Sequence, residues 1–180
     1  MERDLSEPIP LPQVPPGFII RCLAGDEEAA WVMLHRAAFA TQNMTLAYRQ
    51  AMTQSPDYDP QLDLVAAAPD GSLAAYVFGS IRYEENEQTG LKIGWTDPVG
   101  THPDYQRRGL ARELLLECLR RLRERGMQTA RLGTGSWNSA MQRVAQTAGF
   151  RILNRTVLFE KSVANEQIER SEYSIPTAGS

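Results

Sequence analysis

The chain is poor in the residues that build crosslinks and metal sites: two cysteines and two histidines among 180 residues. Cys22 and Cys118 stand far apart and form no metal-ligand spacing, so a disulfide scaffold or a zinc module has no support. Both are read as reduced, half-buried thiols. No run approaches the ~18–20 apolar residues needed to span a bilayer, so no membrane association is expected. Met1 to Pro8 has neither the basic stretch nor the apolar stretch of a secretory signal, which points to the cytoplasm. A basic excess is lacking too. Nineteen Lys and Arg against 22 Asp and Glu leave a net charge of −3, which argues against a general nucleic-acid binder.

What is present suits one globular domain. Hydrophobic residues make up 42% and charged residues 23% of a chain of single-domain length. Residues 1–17 hold five prolines and no periodicity and read as an extended arm. Residues 18–161 read as the folded body, and residues 162–180 as a polar C-terminal tail. Within the body, Phe18–Leu23 suits a strand, and Asp26 to Glu28 opens a helix carrying Trp31, Leu34, His35, Ala38 and Phe39 on one face. A weaker helical segment runs over Met44–Met52, and Ser55 to Pro60 reads as a loop. Leu62–Ala67 and Leu73–Tyr83, joined by Pro69-Asp70-Gly71-Ser72, make a hairpin. A polar turn over Glu84–Gly90 leads to a strand at Leu91–Thr101. The longest helix spans Gly109–Arg125, with Leu114, Leu115, Cys118, Leu119 and Leu122 in its apolar stripe. A strand at Thr129–Thr134, a helix at Ser139–Thr147 and strands near Phe150–Leu153 and Thr156–Glu160 complete the body. That order describes one α/β (α+β) domain with a mixed sheet.

Seventeen of the nineteen basic residues are Arg, and seven of these fall between Arg107 and Arg125. The interleaved Glu113, Glu117 and Glu124 make most of that helix a mixed solvated face. Its start differs. Gln106-Arg107-Arg108-Gly109-Leu110-Ala111 joins a strand to the helix, with no Ser, Thr, Asp or Asn at 105–108 to cap it. An uncapped helix start beside two Arg offers free N–H groups to an anion, notably a pyrophosphate, although a solvent-capped start has the same composition. In the preceding strand, Asp97-Pro98-Val99-Gly100-Thr101 places Pro and Gly where a ladder would run. This composition marks an edge strand or a bulged strand that leaves backbone groups for a ligand.

Val99 to Ala111 resembles the acetyl-CoA-binding core of the GNAT superfamily of N-acetyltransferases. Trp137-Asn138-Ser139-Ala140 looks like that family's Asn-x-Ala helix start, and Ala148-Gly149-Phe150 matches its Gly-Phe signature. The resemblance covers about residues 75–160 and implies a mostly antiparallel sheet with splayed central strands, flanked by helices. It implies acetyl-CoA as cofactor, and with two His and no Cys–His cluster no metal is expected. The backbone of Arg107, Arg108, Gly109, Leu110, Ala111 and Arg112 would wrap the pyrophosphate, and Val99, Gly100 and Thr101 would bond the pantetheine arm. Asn138 would contact the cofactor near its thioester, and it is equally suited to a plain N-cap.

Two positions depart from the family pattern. Ala145 stands where many members carry a Tyr that protonates the leaving thiolate, and Gly133 where many carry a Glu base. Asp97 is the candidate base left in the strand, with a turn role before Pro98 as its bland reading. His102 lies past the strand, His35 shares an apolar helix face, and Tyr48, Tyr76 and Tyr83 suit packing. The reading is direct acetyl transfer from acetyl-CoA to an amine of a small molecule or peptide, in a ternary complex. The alternative is a non-catalytic acyl-CoA-binding or regulatory domain on the same fold. A homodimer stays open.

Overall fold

The computed structural model describes residues 1–155, so the strand expected at Thr156–Glu160 and the polar tail lie outside the described residues. The elements are β1 (Glu2–Asp4), β2 (Ile19–Cys22), α1 (Glu28–Phe39), α2 (Leu46–Thr53), β3 (Tyr58–Ala67) and β4 (Leu73–Ser80). They continue with α3 (Tyr83–Thr89), β5 (Ile93–Trp95), β6 (Val99–Thr101), α4 (Leu110–Glu124), β7 (Thr129–Arg131) and α5 (Ser139–Thr147). A short 3-10 turn at Pro103–Tyr105 joins β6 to α4.

Among the described residues the strands form a seven-stranded sheet in the order β1-β7-β5-β4-β3-β2, with β6 also paired to β4. All pairings are antiparallel except β5 with β7. The β3–β4 hairpin is its centre, with Leu64 opposite Val77 and Val65 opposite Tyr76. Alternation sends Leu62, Leu64, Ala66, Ala75 and Val77 into one core with Leu114, Leu115, Cys118, Leu119 and Leu122 of α4 and Ala145 of α5. Val65, Tyr76 and Phe78 go to the other face, under Trp31, Val32 and Leu34 of α1. Both faces are buried, which explains why these strands read as continuous apolar runs. Cys22 and Cys118 are both free thiols, Cys118 in full burial rather than half.

Four expectations are corrected. The arm is not merely extended, because Glu2–Asp4 forms a strand along β7. Ser55–Pro60 is not all loop, since β3 starts at Tyr58 and absorbs Pro60 at an irregular stretch of its register. Glu84–Gly90 is largely a helix: the Asn86 amide donates to Ile93 O (2.9 Å) and accepts from Ile93 N–H (3.1 Å), which ties α3 to β5. Near 150–153 the only strand pairing among the described residues is a single bridge from Arg151 to Glu2 of the arm. Arg3 of that arm is buried and donates to Ala148 O at 2.7 Å, closing the C-terminus of α5. Gly149 suits this place, with φ +89° and an Arg3 guanidinium where its Cβ would stand.

The α1–α2 face hides an ion pair. Arg49 of α2 is 0% exposed, donates to Asp63 of β3, and lies 4.3 Å from the Trp31 ring centroid. The Tyr58 hydroxyl donates to the same carboxylate at 3.1 Å. Removing one partner of a buried pair strands the other charge and costs ~3–5 kcal/mol, whereas apolar replacement of both is far milder. Asp63→Ala should therefore lower unfolding free energy by about that amount in urea titration. Arg49→Met combined with Asp63→Leu should recover most of the loss. An Asp63→Ala loss below ~1 kcal/mol would contradict this role.

Candidate active site

The central strand is broken. β5 runs beside β7 in parallel, with Gly94 opposite Ala130 and Trp95 opposite Arg131, and Thr96 N–H still donates to Arg131 O at 3.0 Å. After Thr96 the chain leaves β7, passes through Asp97-Pro98, and resumes as β6 against β4 alone. Between β6 and the 132–134 segment opens a notch of about 190 Å³. Asp97, Pro98 and Val99 form one wall and Leu132, Gly133 and Thr134 the other, with Phe39 of α1 and Asn138 and Met141 of the α5 region also lining it.

On its inner side β6 is bonded through Phe78 N–H to Pro98 O (3.0 Å) and His102 N–H to Ala74 O (2.9 Å). Strand alternation then turns the backbone groups of Gly100 toward β4 and those of Val99 and Thr101 toward the notch. The backbone of Gly100 is thus turned away from the notch. This residue is a glycine for packing: a Cβ here would overlap the Tyr76 ring and press on Ala38 Cβ at 3.1 Å.

The helix start holds the second half of the site. Arg107 (φ +61°) and Gly109 (φ +85°) are left-handed, and Gly109 caps α4 without a side-chain bond. The backbone N–H groups of Arg107, Arg108, Gly109, Leu110 and Ala111 have no backbone acceptor among the described residues. Alternating handedness of this kind curves successive N–H groups around an anion. Arg107, Arg108 and Gly109 are exposed there, and a Cβ on Gly109 would meet nothing within 4 Å. Arg112 is different. Its backbone N–H is used on Gly109 O (3.0 Å), and its guanidinium pairs with Glu113 at 2.6 Å. Arg108 lies over the Phe18 and Tyr105 rings, at 5.8 and 5.5 Å.

Asp97 meets the notch as a half-buried carboxylate whose Oδ1 is buried without a hydrogen-bond partner. Burial raises its pKa above the ordinary carboxylate value; the Gly133 N–H and the positive charge of Arg82 oppose that rise. A Cβ on Gly133 would lie 3.3 Å from Asp97 Oδ2. The carboxylate therefore stands beside the backbone of Gly133. Asn138 lines the notch and also caps α5, its Oδ1 accepting from Met141 N–H at 3.0 Å. Ala145 is buried in the core rather than at the notch.

The remaining candidates fall away from it. His102 accepts from Asp104 N–H (3.3 Å) in the turn after β6. His35 Nδ1 is 2.6 Å from the Tyr76 hydroxyl and the ring is stacked between Trp31 and Phe39. Burial lowers the His35 pKa. Tyr48 and Tyr83 are exposed on helices α2 and α3. Among the described residues no group of three or more His, Cys, Asp or Glu could hold a metal ion, and no helix is long and apolar enough to cross a membrane. Phe39 is the notch residue that sequence reasoning placed elsewhere, on a packing face, because helical spacing does not reveal which end of a face overhangs the sheet.

The family model described as Acetyltransferase (GNAT) family matches residues 28–150, and the chain belongs to that family. Among curated proteins it is similar to the mycothiol acetyltransferase of Thermobispora bispora, 30% identical over 166 residues, covering 89% of this chain and 56% of that protein. The Cellulomonas flavigena protein of the same name is 33% identical over 147 residues, covering 77% of this chain and 42% of its own length. The chain thus spans about half the length of these relatives. Among solved structures, a GCN5-related N-acetyltransferase from Sphaerobacter thermophilus superposes with TM-score 0.69 at 28% identity, covering 82% of this chain and 45% of that one. The aminoglycoside N-acetyltransferase AAC(6')-Iy, solved in complex with CoA, shares the fold at TM-score 0.65 and 22% identity, covering 84% and 100% of the two chains.

Gly100→Ala tests the packing of the notch wall. Overpacking of a filled site typically costs ~1–3 kcal/mol, and the denaturant midpoint should fall by that equivalent with an unchanged m value. A neutral Gly100→Ala would mean that Tyr76 does not bear on β6.

Proposed function

We propose that the chain is an N-acetyltransferase that binds acetyl-CoA and an amine acceptor together and transfers the acetyl group directly. The single observation that carries this reading is the junction of notch and nest. Free amides at Arg107 to Ala111 stand at one end, and the free backbone edge of Val99 and Thr101 leads from there to Asp97. The nest would hold the pyrophosphate, mainly through backbone N–H groups with Arg107 and Arg108 adding charge. The pantetheine arm would lie along β6 as an added strand, bonded by Val99 and Thr101. Asn138, with its Oδ1 given to the cap, has its amide nitrogen left for the cofactor. The residues present fit acetyl-CoA, which supplies the activated acyl group. A small-molecule amine as acceptor is supported by the relatives, whose names refer to mycothiol and aminoglycosides.

At the reacting end, Val99 N–H is the first free backbone donor after the break, positioned to stabilise an oxyanion. The acceptor nitrogen attacks the thioester carbonyl, the C–N bond forms, the C–S bond breaks, and CoA leaves as a thiolate. Asp97 takes the proton that the nitrogen sheds. With Ala145 in the core, solvent rather than a tyrosine returns a proton to the thiolate. Holding both reactants in one notch supplies much of the rate.

Asp97 acts only when ionised, and burial raises its pKa, so its share of activity is lost as pH falls through that raised value. Asp97→Asn should cut turnover by at least ~100-fold, with acetyl-CoA affinity nearly unchanged. The residual rate should follow the acceptor's own ionisation. The measurement is acetyl-CoA-dependent thiol release over an amine panel, from below to above neutral pH. Parental turnover of Asp97→Asn across that range would reduce Asp97 to a turn-former.

A further inference from the structure

The residue that closes the notch from the α1 face is Phe39, and nothing in the transfer chemistry above uses it. Phe39 is 45% exposed, yet its ring is not loose. It stacks on His35 at 4.7 Å and 29°, His35 stacks on Trp31 at 5.3 Å, and the His35 Nδ1 is 2.6 Å from the buried Tyr76 hydroxyl. Tyr76 in turn lies against Gly100 of β6. The strand that would hold the thioester and the ring that faces it are thus parts of one packed column. Phe39 shares the notch with Asp97, Pro98 and Val99, and it enters from the helix face opposite to α5.

We infer that Phe39 is a specificity-determining residue that limits the acyl group of the donor to acetyl. The inference rests on the acyl-CoA reading of the notch. An acyl chain extending past the carbonyl held at Val99 meets the anchored ring, which moves only by breaking its stack on His35. Val99, Leu132 and Met141 give the notch apolar walls beside the polar Asp97, Thr134 and Asn138, so an added methylene is a matter of fit against Phe39 and these walls. One methylene in such a pocket is typically worth ~10–200-fold.

The test is equilibrium binding of CoA, acetyl-CoA, propionyl-CoA and butyryl-CoA to the parent, Phe39→Ala and Phe39→Leu, which needs no acceptor. The parent should bind acetyl-CoA at least ~10-fold more tightly than butyryl-CoA. Phe39→Ala should shrink that ratio by ~10-fold or more by tightening butyryl-CoA, with the affinity for free CoA unchanged. Phe39→Leu should fall between them. The same acetyl-to-butyryl ratio in parent and both variants would overturn the inference while leaving the acyl-CoA site standing. Failure of the parent to bind free CoA would contradict that site itself, and this inference with it.

Discussion

The structure turns on one unmade ladder: β6 has no strand partner on its β7 side among the described residues. β5 and β7 lie in register up to Trp95 and Arg131, and the break at Thr96 to Pro98 then carries the chain away from β7. An unpaired strand edge is tolerable only where water or a ligand reaches it, because a buried amide without a partner costs a large part of its desolvation. The outer edge of β6 meets that condition, with Val99 and Thr101 half-buried along it and Val99 lining the notch. A ligand with alternating amide groups would find a template that no part of the described chain fills.

The rest of the fold makes this gap rigid. On one side, the β3–β4 hairpin and α4 bury a continuous apolar layer. On the other, the Arg49–Asp63 pair ties α2 to β3 beneath Trp31, and α1 carries Phe39 over the notch. The arm adds a strand along β7, and its Gln13 N–H donates to Glu113 at 2.6 Å. Glu113 also holds Arg112. The arm is therefore wired to the first turn of α4, beside the nest but not in it.

Much of this was legible in the sequence, for identifiable reasons. α4 was plain because a stripe at helical spacing and a glycine at each end leave little else to build. The break at Asp97 to Thr101 was legible because Pro98 has no N–H to give to a ladder and Gly100 marks a close approach of another group. α3 was not, since Tyr83-Glu84-Glu85-Asn86 carries no apolar stripe and is held by one asparagine bonded to Ile93. β1 was hidden for a similar reason: Glu-Arg-Asp is strand only through its pairing with β7. The site was legible in its backbone and less so in its side chains. The place of Asp97 beside Gly133 depends on how a bulge resets strand parity, which no local pattern encodes. Gly100 and Arg112 stand apart from the free amides because the backbone groups of Gly100 face β4 and the Arg112 N–H is given to Gly109 O.

The central claim is that the free amides at the start of α4 hold the pyrophosphate of CoA. Calorimetric titration of CoA into the parent and Gly109→Glu tests it most directly. The glutamate would add negative charge in the open space before those amides, at a left-handed position that itself costs ~1 kcal/mol of stability. The account predicts saturable binding to the parent and none to a Gly109→Glu protein that remains folded by circular dichroism. Undiminished CoA binding by folded Gly109→Glu would contradict it.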